Sequence, residues 1–409
     1  MEPHPDDPIL VEPSDWAKIF PLYYRILLLG CFGVWCWCLN LHGLRIAGID
    51  ARTILQGSTG PDDNFDCSAC SPEAAPSSLE RSRTATEGLP AHVPNWWCYL
   101  LVPEDIPNVK RFIILATGIV LIGILTLPFH ILAYADRMRF FRALGRVLYP
   151  SLTAPVFFCD VIMADILTSF ARVFSDSWAS LCDLSALLLP GSGGDPQTPD
   201  RINFSFEQCG YSVFGPLVIC LPYLLRFRQC INEALSSPAG PVRRRHLANA
   251  AKYASSFPVV LLSGYEKYLS WKTKDHDGDG TITPRDHILT LLSQLWLLSA
   301  IVNTLYSIYW DTAVDWNLGY TARGRTHCHP FLRPHIIFDN ALYYAAIAIN
   351  VLLRTTWTLK ISPHLPIETL PLGGFTLEWL EVLRRWLWVY FRVEREWLDK
   401  KVPLTASTD

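Results

Sequence analysis

The chain has 409 residues, 50% of them hydrophobic, 12% aromatic and only 18% charged, where a soluble domain carries about 25% charged residues. A formal net charge of −3 supplies no basic field, which excludes nucleic acid as a partner. The apolar residues stand in long blocks, and in a bilayer each block must satisfy its own backbone as a helix.

The stretch 1–20 is acidic and Pro-rich and reads as a cytosolic tail. Arg25 interrupts the apolar run after it, so that run is a retained span and not a secretory signal. Predicted spans of the ~20 residues a bilayer requires lie near 21–42, 111–134, 152–190 (long and bent), 212–228, 251–268, 288–310, 336–361 and 374–393. The expected fold is all-α: a polytopic transmembrane helical bundle of about eight spans, within a range of eight to ten, with both termini cytosolic. Residues 21–149 form an N-terminal transmembrane region, 150–395 a second transmembrane domain and 396–409 a cytosolic tail. Within the first region, 57–95 is rich in Pro, Ser and Gly and reads as a disordered luminal insert.

Loop charge tests this topology, because Lys and Arg collect on the cytosolic side. Arg137, Arg139, Arg142 and Arg146 precede the third span, and Arg243, Arg244 and Arg245 follow the fourth. Arg323, Arg325 and Arg333 follow the sixth, and Arg392, Arg395, Lys400 and Lys401 fill the tail. Eight spans from a cytosolic N-terminus put all four groups in the cytosol. The loop 190–211 falls opposite and carries the glycosylation sequon Asn203-Phe204-Ser205, usable only in a lumen or outside the cell. The twelve cysteines form no disulfide framework. Cys31, Cys36, Cys38, Cys159, Cys220 and Cys230 read as small residues in or beside apolar runs. A luminal disulfide involving Cys67, Cys70, Cys98 or Cys209 is expected, ahead of a metal on the lone CxxC of Cys67 and Cys70.

Ionisable residues inside spans cost about 2.5–3.5 kcal/mol each and persist where they face a bundle interior or a water-filled path. Here Asp165, Arg226, Lys252, Asp311, Asp315, Arg354, Lys360, Glu381, Arg384 and Arg385 fall within or beside predicted spans. Glu381 precedes Arg384 and Arg385 by one helical turn and can orient or neutralise an arginine. Arg354 and Trp357 share a face, which sets a guanidinium beside a ring able to gate a narrow pore. Several planar guanidinium forks suit a phosphate oxyanion, Lys252 adds a point charge and Tyr253 a hydroxyl donor. Acidic neighbours keep the anion loosely held, as conduction requires. The bland alternative, structural ion pairs or snorkelling side chains, has most force for Arg226, Asp315 and Lys360 near predicted boundaries.

A second constellation, Asp275-His276-Asp277-Gly278-Asp279-Gly280-Thr281-Ile282, matches the start of an EF-hand loop, with Asp286 at the twelfth position in place of the usual Glu. It is a candidate for weak luminal calcium binding, against a plain polar turn. No other cofactor is expected. P-loop, nucleophile-elbow and HExxH motifs are absent from the sequence, so the chain reads as no enzyme.

The ordered strings Arg226-Phe227 with Gln229-Cys230, His246 to Tyr253, Trp310-Asp311 with Asp315-Trp316, Leu353-Arg354 with Trp357-Thr358, and Leu380 to Arg385 followed by Phe391-Arg392 resemble the EXS family. The resemblance covers roughly 150–400 and, more weakly, the chain from 21. That family includes the membrane domains of phosphate exporters related to the xenotropic retrovirus receptor, and the fungal ER-retention-defective (Erd) proteins. The resemblance implies an all-helical exporter in which Asp165, Arg226, Lys252, Tyr253, Asp311, Arg354, Glu381, Arg384 and Arg385 line a phosphate path gated by Trp357. About twenty residues precede the first span, too few for the soluble SPX domain of the large exporters, so the form expected is the shorter Erd one. That form implies a Golgi membrane protein (alternatively of the endoplasmic reticulum or plasma membrane) that returns luminal phosphate to the cytosol. It would thereby support glycosylation and the retention of Golgi and luminal proteins. The implied partners are inorganic phosphate, membrane lipid, and retention machinery or glycosyltransferases. The competing expectation is a sorting or retention factor that binds trafficking machinery without transporting.

Overall fold

Long apolar blocks interrupted by Gly, Pro and Ser dictate long helices with breaks at defined points. The computed structural model describes residues 22–56, 116, 117, 120, 123, 134–149, 155–188, 214–273, 284–318, 331–333, 335–356, 358 and 373–405. Among these the chain is all-helical, with no strand. The helices are α1 (Leu22–Ile46), α2 (Ala51–Gln56), α3 (Tyr134–Leu148), α4 (Phe158–Ser169), α5 (Ala171–Leu188), α6 (Phe214–Ser236), α7 (Pro241–Ala254), α8 (Ser256–Thr273), α9 (Pro284–Tyr309), α10 (Asn340–Arg354) and α11 (Gly373–Thr405). A π-helical segment, Trp310–Asp315, continues α9. Among the described residues three stretches are long and apolar enough to cross a membrane: Tyr24–Ile46, Phe214–Ser236 and His287–Asp315.

Each break has a local cause. α1 stops at Gly48, whose φ of 75° suits a residue without Cβ. Gly48 N–H bonds the Arg45 carbonyl at 3.0 Å and Ile49 N–H the Leu44 carbonyl at 2.9 Å, the Schellman pattern with its apolar Leu44–Ile49 contact. The bend expected inside 152–190 falls at Phe170, between α4 and α5. Gly33 of α1 accommodates the Phe170 ring there: a Cβ at Gly33 would lie 2.6 Å from Cζ. The span expected over 251–268 is part of a longer pair, α7 and α8, broken at Ser255, whose hydroxyl bonds the Lys252 carbonyl at 2.6 Å. The π segment adds one residue to its turn, and Trp316 N–H bonds the Asp311 carbonyl at 3.0 Å.

α11, with 33 residues, rises about 50 Å and is the central post. It packs against α1, α4 and α10, while α6 packs against α5, α7 and α8. The main apolar core joins Leu44, Ile49 and Ile54 to Trp316, Tyr343, Trp388 and Phe391. The outer face of α9 leaves Leu291, Leu298, Val302 and Leu305 exposed, a surface that suits lipid and not water.

One ion pair sits inside this core. Glu394, 0% exposed, lies 2.7 Å from Arg333 Nη2 and accepts from the Tyr343 hydroxyl. Arg333 also donates to the Trp316 carbonyl at 2.9 Å and the His335 carbonyl at 3.0 Å. Together these bonds fasten the segment before α10 to α11. Of the cysteines expected to be plain thiols, Cys31, Cys36, Cys38, Cys159, Cys220 and Cys230 are free. Cys182 near the end of α5, which the sequence reading did not single out, is disulfide-bonded. Cys67, Cys70, Cys98 and Cys209 lie outside the described residues.

A candidate anion site at the helix breaks

The helix interruptions converge on the charges. Asp165 lies one turn before the α4–α5 break, Lys252 and Tyr253 just before the α7–α8 break, Asp311 and Asp315 in the π segment, and Arg354 at the last turn of α10. Interrupted helices are a common way to bring polar groups and backbone ends together inside a membrane. All nine residues expected to form the path come together here. Arg226 and Asp315, weighed above as boundary residues, are buried and belong to the same cluster.

Asp311 is the hub, with no exposed surface. Its Oδ2 accepts from Arg354 Nη2 at 2.7 Å and Nε at 3.2 Å, and from Arg384 Nη1 at 3.4 Å. Lys252 Nζ stands 3.6 Å from Asp311 Oδ1 and 3.9 Å from Asp315 Oδ2. Asp315 is held in turn by Trp388 Nε1 at 3.2 Å. Deeper along α4, Asp165 accepts from Arg226 Nε at 3.2 Å and from the Tyr253 hydroxyl. The Tyr253 ring also lies under the Lys252 ammonium, 4.7 Å from its centroid.

The two adjacent arginines of α11 part company. Arg384 is bidentate to Glu381, at 2.6 Å and 2.8 Å. Arg385 turns instead to hydroxyls, Ser169 Oγ at 2.9 Å and Thr168 Oγ1 at 3.0 Å, and stacks over Trp388 with its centre 4.7 Å from the ring. Among the described residues its Nη1 is buried with no hydrogen-bond partner, and no carboxylate forms an ion pair with it. Buried ions are normally paired, so this guanidinium has spare capacity for an anion. The cluster is most open at Glu381, whose side chain is 36% exposed and whose Oε1 accepts from Ser169.

Sequence reasoning did not pick out Ser169 or Tyr223. Ser169 and Thr168 lie one turn after Asp165 on an apolar helix, a spacing that carried the signal. Tyr223, one turn before Arg226, sits in the combined field of Glu381, Arg354, Arg384 and Arg385. A further omission is Asn303 of α9. Its amide donates to Ser255 Oγ and Ser256 Oγ, each at 2.9 Å, and so braces the break beside Lys252. Tyr306, a turn later, donates to the Ala248 carbonyl at 2.7 Å.

Trp357, expected as the gate, the sequon Asn203 and the loop aspartates Asp275, Asp277 and Asp279 lie outside the described residues. Asp286 falls in the first turn of α9, with its side chain outside them too.

Against known proteins, residues 20–398 match the EXS family. Protein ERD1 homolog 1 of Schizosaccharomyces pombe is 26% identical over 404 residues, covering 95% of this chain and 94% of the relative. Protein ERD1 homolog 2 of the same yeast is 29% identical over 243 residues, covering 58% of this chain and 54% of the relative. Solute carrier family 53 member 1 of Mus spretus is 31% identical over 287 residues, covering 64% of this chain but only 36% of the relative.

Proposed function

Because the chain belongs to the EXS family, we propose that it is a membrane transporter and not an enzyme, and that it carries inorganic phosphate along the Arg-lined cluster. The observation that carries this reading is Arg385, a buried guanidinium at the meeting point of interrupted helices whose Nη1 has no partner, and whose hydrogen bonds go only to hydroxyls, among the described residues. A tetrahedral oxyanion supplies the acceptors that Arg385 lacks, and Ser169 and Thr168 stand beside it with hydroxyls. Arg354, Arg384 and Lys252, already shared among Asp311, Asp315 and Glu381, can be lent to a passing anion and returned to the carboxylates. Trp357, three residues beyond Arg354, is the proposed gate.

Eight spans with cytosolic termini remain the topology we favour. Exposed Arg139 and Arg142 on α3 support a cytosolic side there. The disulfide at Cys182, at the end of α5 that leads into the sequon loop, supports a luminal side, since disulfides persist in oxidising compartments. In this orientation the transporter moves phosphate from a Golgi lumen to the cytosol, which supports glycosylation and the retention of resident proteins. The nearly full-length match with Protein ERD1 homolog 1 favours one second reading, a retention factor acting through its cytosolic end.

The test is radiolabelled phosphate flux in proteoliposomes holding purified protein, wild type beside Arg385→Gln. Flux in the wild type and its loss in a monodisperse variant is the expected result. Equal flux in both removes Arg385 from the path. If folded wild type shows no flux, the retention reading takes over, and deletion of 396–409 becomes the decisive variant.

A further inference from the structure

Two polar rungs join the α4–α5 pair to α11. In the first, Ser169 Oγ donates to Glu381 Oε1 at 2.9 Å. In the second, Arg172 Nε lies 3.5 Å from Glu378 Oε1. Residues 169 and 172 are three apart, as are 378 and 381, so the second rung stands one helical turn beyond the first on the same facing surfaces. Exposure rises along this line: Arg385 is 6% exposed, the Glu381 side chain 36% and the Arg172 side chain 44%. The line follows α5 toward the sequon loop, the side from which the proposed transport draws its anion. One turn further on, Asp176 lies in the fields of Arg172 and of Arg25 from α1. Beside the rungs, Val173 and Val382 are buried together with Leu29, and Phe32 and Phe170 pack against them. The polar groups therefore stand against an apolar wall.

Resting on the phosphate reading above, we infer that Arg172 forms a second, outer binding site for the same tetrahedral oxyanion, which captures the anion and passes it by way of Ser169 to Arg385. The Arg172–Glu378 contact is longer than the 2.6 Å and 2.8 Å bonds that hold Arg384 to Glu381. An ion pair this long and this open is weak, so an anion displaces Glu378 at little cost. The planar fork that turns to the anion can then hold two of its oxygens. One turn of helix, about 5.4 Å, separates this rung from the next. There the Ser169 hydroxyl, which accepts from Arg385 Nε at 2.9 Å, can turn its own hydrogen from Glu381 to a phosphate oxygen. Glu378 takes Arg172 back as the anion leaves. Each hold is thereby weak and each step short, as conduction through several sites requires.

The experiment measures initial phosphate flux in proteoliposomes of neutral lipid, over a range of phosphate concentration and ionic strength, for wild type, Arg172→Gln and Arg172→Lys. Arg172→Gln is expected to raise the KM about three- to tenfold, with the deficit shrinking as phosphate saturates and as salt screens the wild-type charge. Arg172→Lys is expected to recover most of the loss, because it keeps the charge. A wild-type KM and salt dependence in Arg172→Gln overturns the inference: Arg172 is then a structural ion pair, and Arg385 keeps its place in the path. A wild-type KM that shifts with anionic lipid in the vesicle, and does so no longer in Arg172→Gln, also overturns it, by assigning Arg172 to a lipid headgroup. Absence of flux in folded wild type overturns the transport reading and the outer site with it.

A second arm restores the charge chemically. Arg172→Cys is treated before reconstitution with a cationic (trimethylammonium) or an anionic (sulfonate) ethyl methanethiosulfonate. Each forms a mixed disulfide with the new thiol and releases methanesulfinate. Relative to wild type treated alike, the cationic adduct is expected to regain a lower KM and the anionic adduct to lose further. Equal effects of the two reagents refute charge at this position as the basis of capture.

Discussion

Two groups of buried charge lie along α11, one around Arg384 and Arg385 and the other around Glu394, and they are built differently. Glu394 is matched one to one with Arg333, takes the Tyr343 hydroxyl and is enclosed by the apolar core. Around Arg385 the charges are shared among several partners, one guanidinium nitrogen of Arg385 is buried without a hydrogen bond among the described residues, and the cluster is open at Glu381. The first arrangement has one low-energy pairing. The second gives Asp311 three cationic partners and Lys252 two carboxylates, so a cation can be lent to a passing anion without leaving a carboxylate bare. Burial of charge alone does not distinguish structure from function here, whereas the sharing of partners and access do.

The largest expected effect is at Arg385. Arg385→Gln should lower phosphate flux by about 100-fold or more, equivalent to roughly 3 kcal/mol of lost interaction with the passing anion. Because the substitution deletes a buried cation with no ion-paired carboxylate among the described residues, the thermal midpoint should stay level or rise. A variant that melts well below wild type would place Arg385 with the structural charges and erase the contrast.

Glu394→Gln should behave in the opposite way. It leaves Arg333 buried without a counter-charge, which costs about 3–5 kcal/mol. Detergent-solubilised protein should melt lower and be recovered in smaller yield, while the fraction that survives transports phosphate with unchanged KM. Replacing both partners, as Arg333→Met with Glu394→Leu, should recover much of the loss, since an apolar pair of similar volume carries no desolvation cost. A changed KM in the single variant would mean that the two charge groups communicate.

How far this contrast was legible in the sequence depends on range. Single ionisable residues within apolar runs identify themselves by cost, so Asp165, Arg226, Lys252, Asp311, Arg354 and Arg384 were all visible. The Glu381–Arg384 pair is a one-turn contact and was visible too. The unequal fates of Arg384 and Arg385 were not, because they depend on Ser169 and Thr168 arriving from α4. Nor was the Arg333–Glu394 pair, which joins two segments far apart in the chain and whose arginine reads as an ordinary basic loop residue. The break at Ser255 escaped because hydropathy follows the apolar residues, whereas the break is made by a hydroxyl taking a backbone carbonyl.

The smallest effect worth measuring concerns that break. Asn303 spends both amide hydrogens on Ser255 and Ser256, and Ser255 passes its own hydroxyl hydrogen to the Lys252 carbonyl. The chain of bonds fixes the backbone that carries Lys252 and Tyr253 into the cluster, without touching the anion. Hydrogen bonds between helices in a membrane average about 0.6 kcal/mol and reach about 1.7 kcal/mol. Asn303→Ala should therefore raise the KM for phosphate by roughly three- to tenfold, with little change in maximal rate. Ser255→Ala should give a similar rise, and the double variant should be little worse than either single one, because the bonds belong to one network. Strictly additive losses would show that Asn303 and Ser255 act separately. A fall in maximal rate without a change in KM would mean that the brace governs a conformational step and not the placement of Lys252.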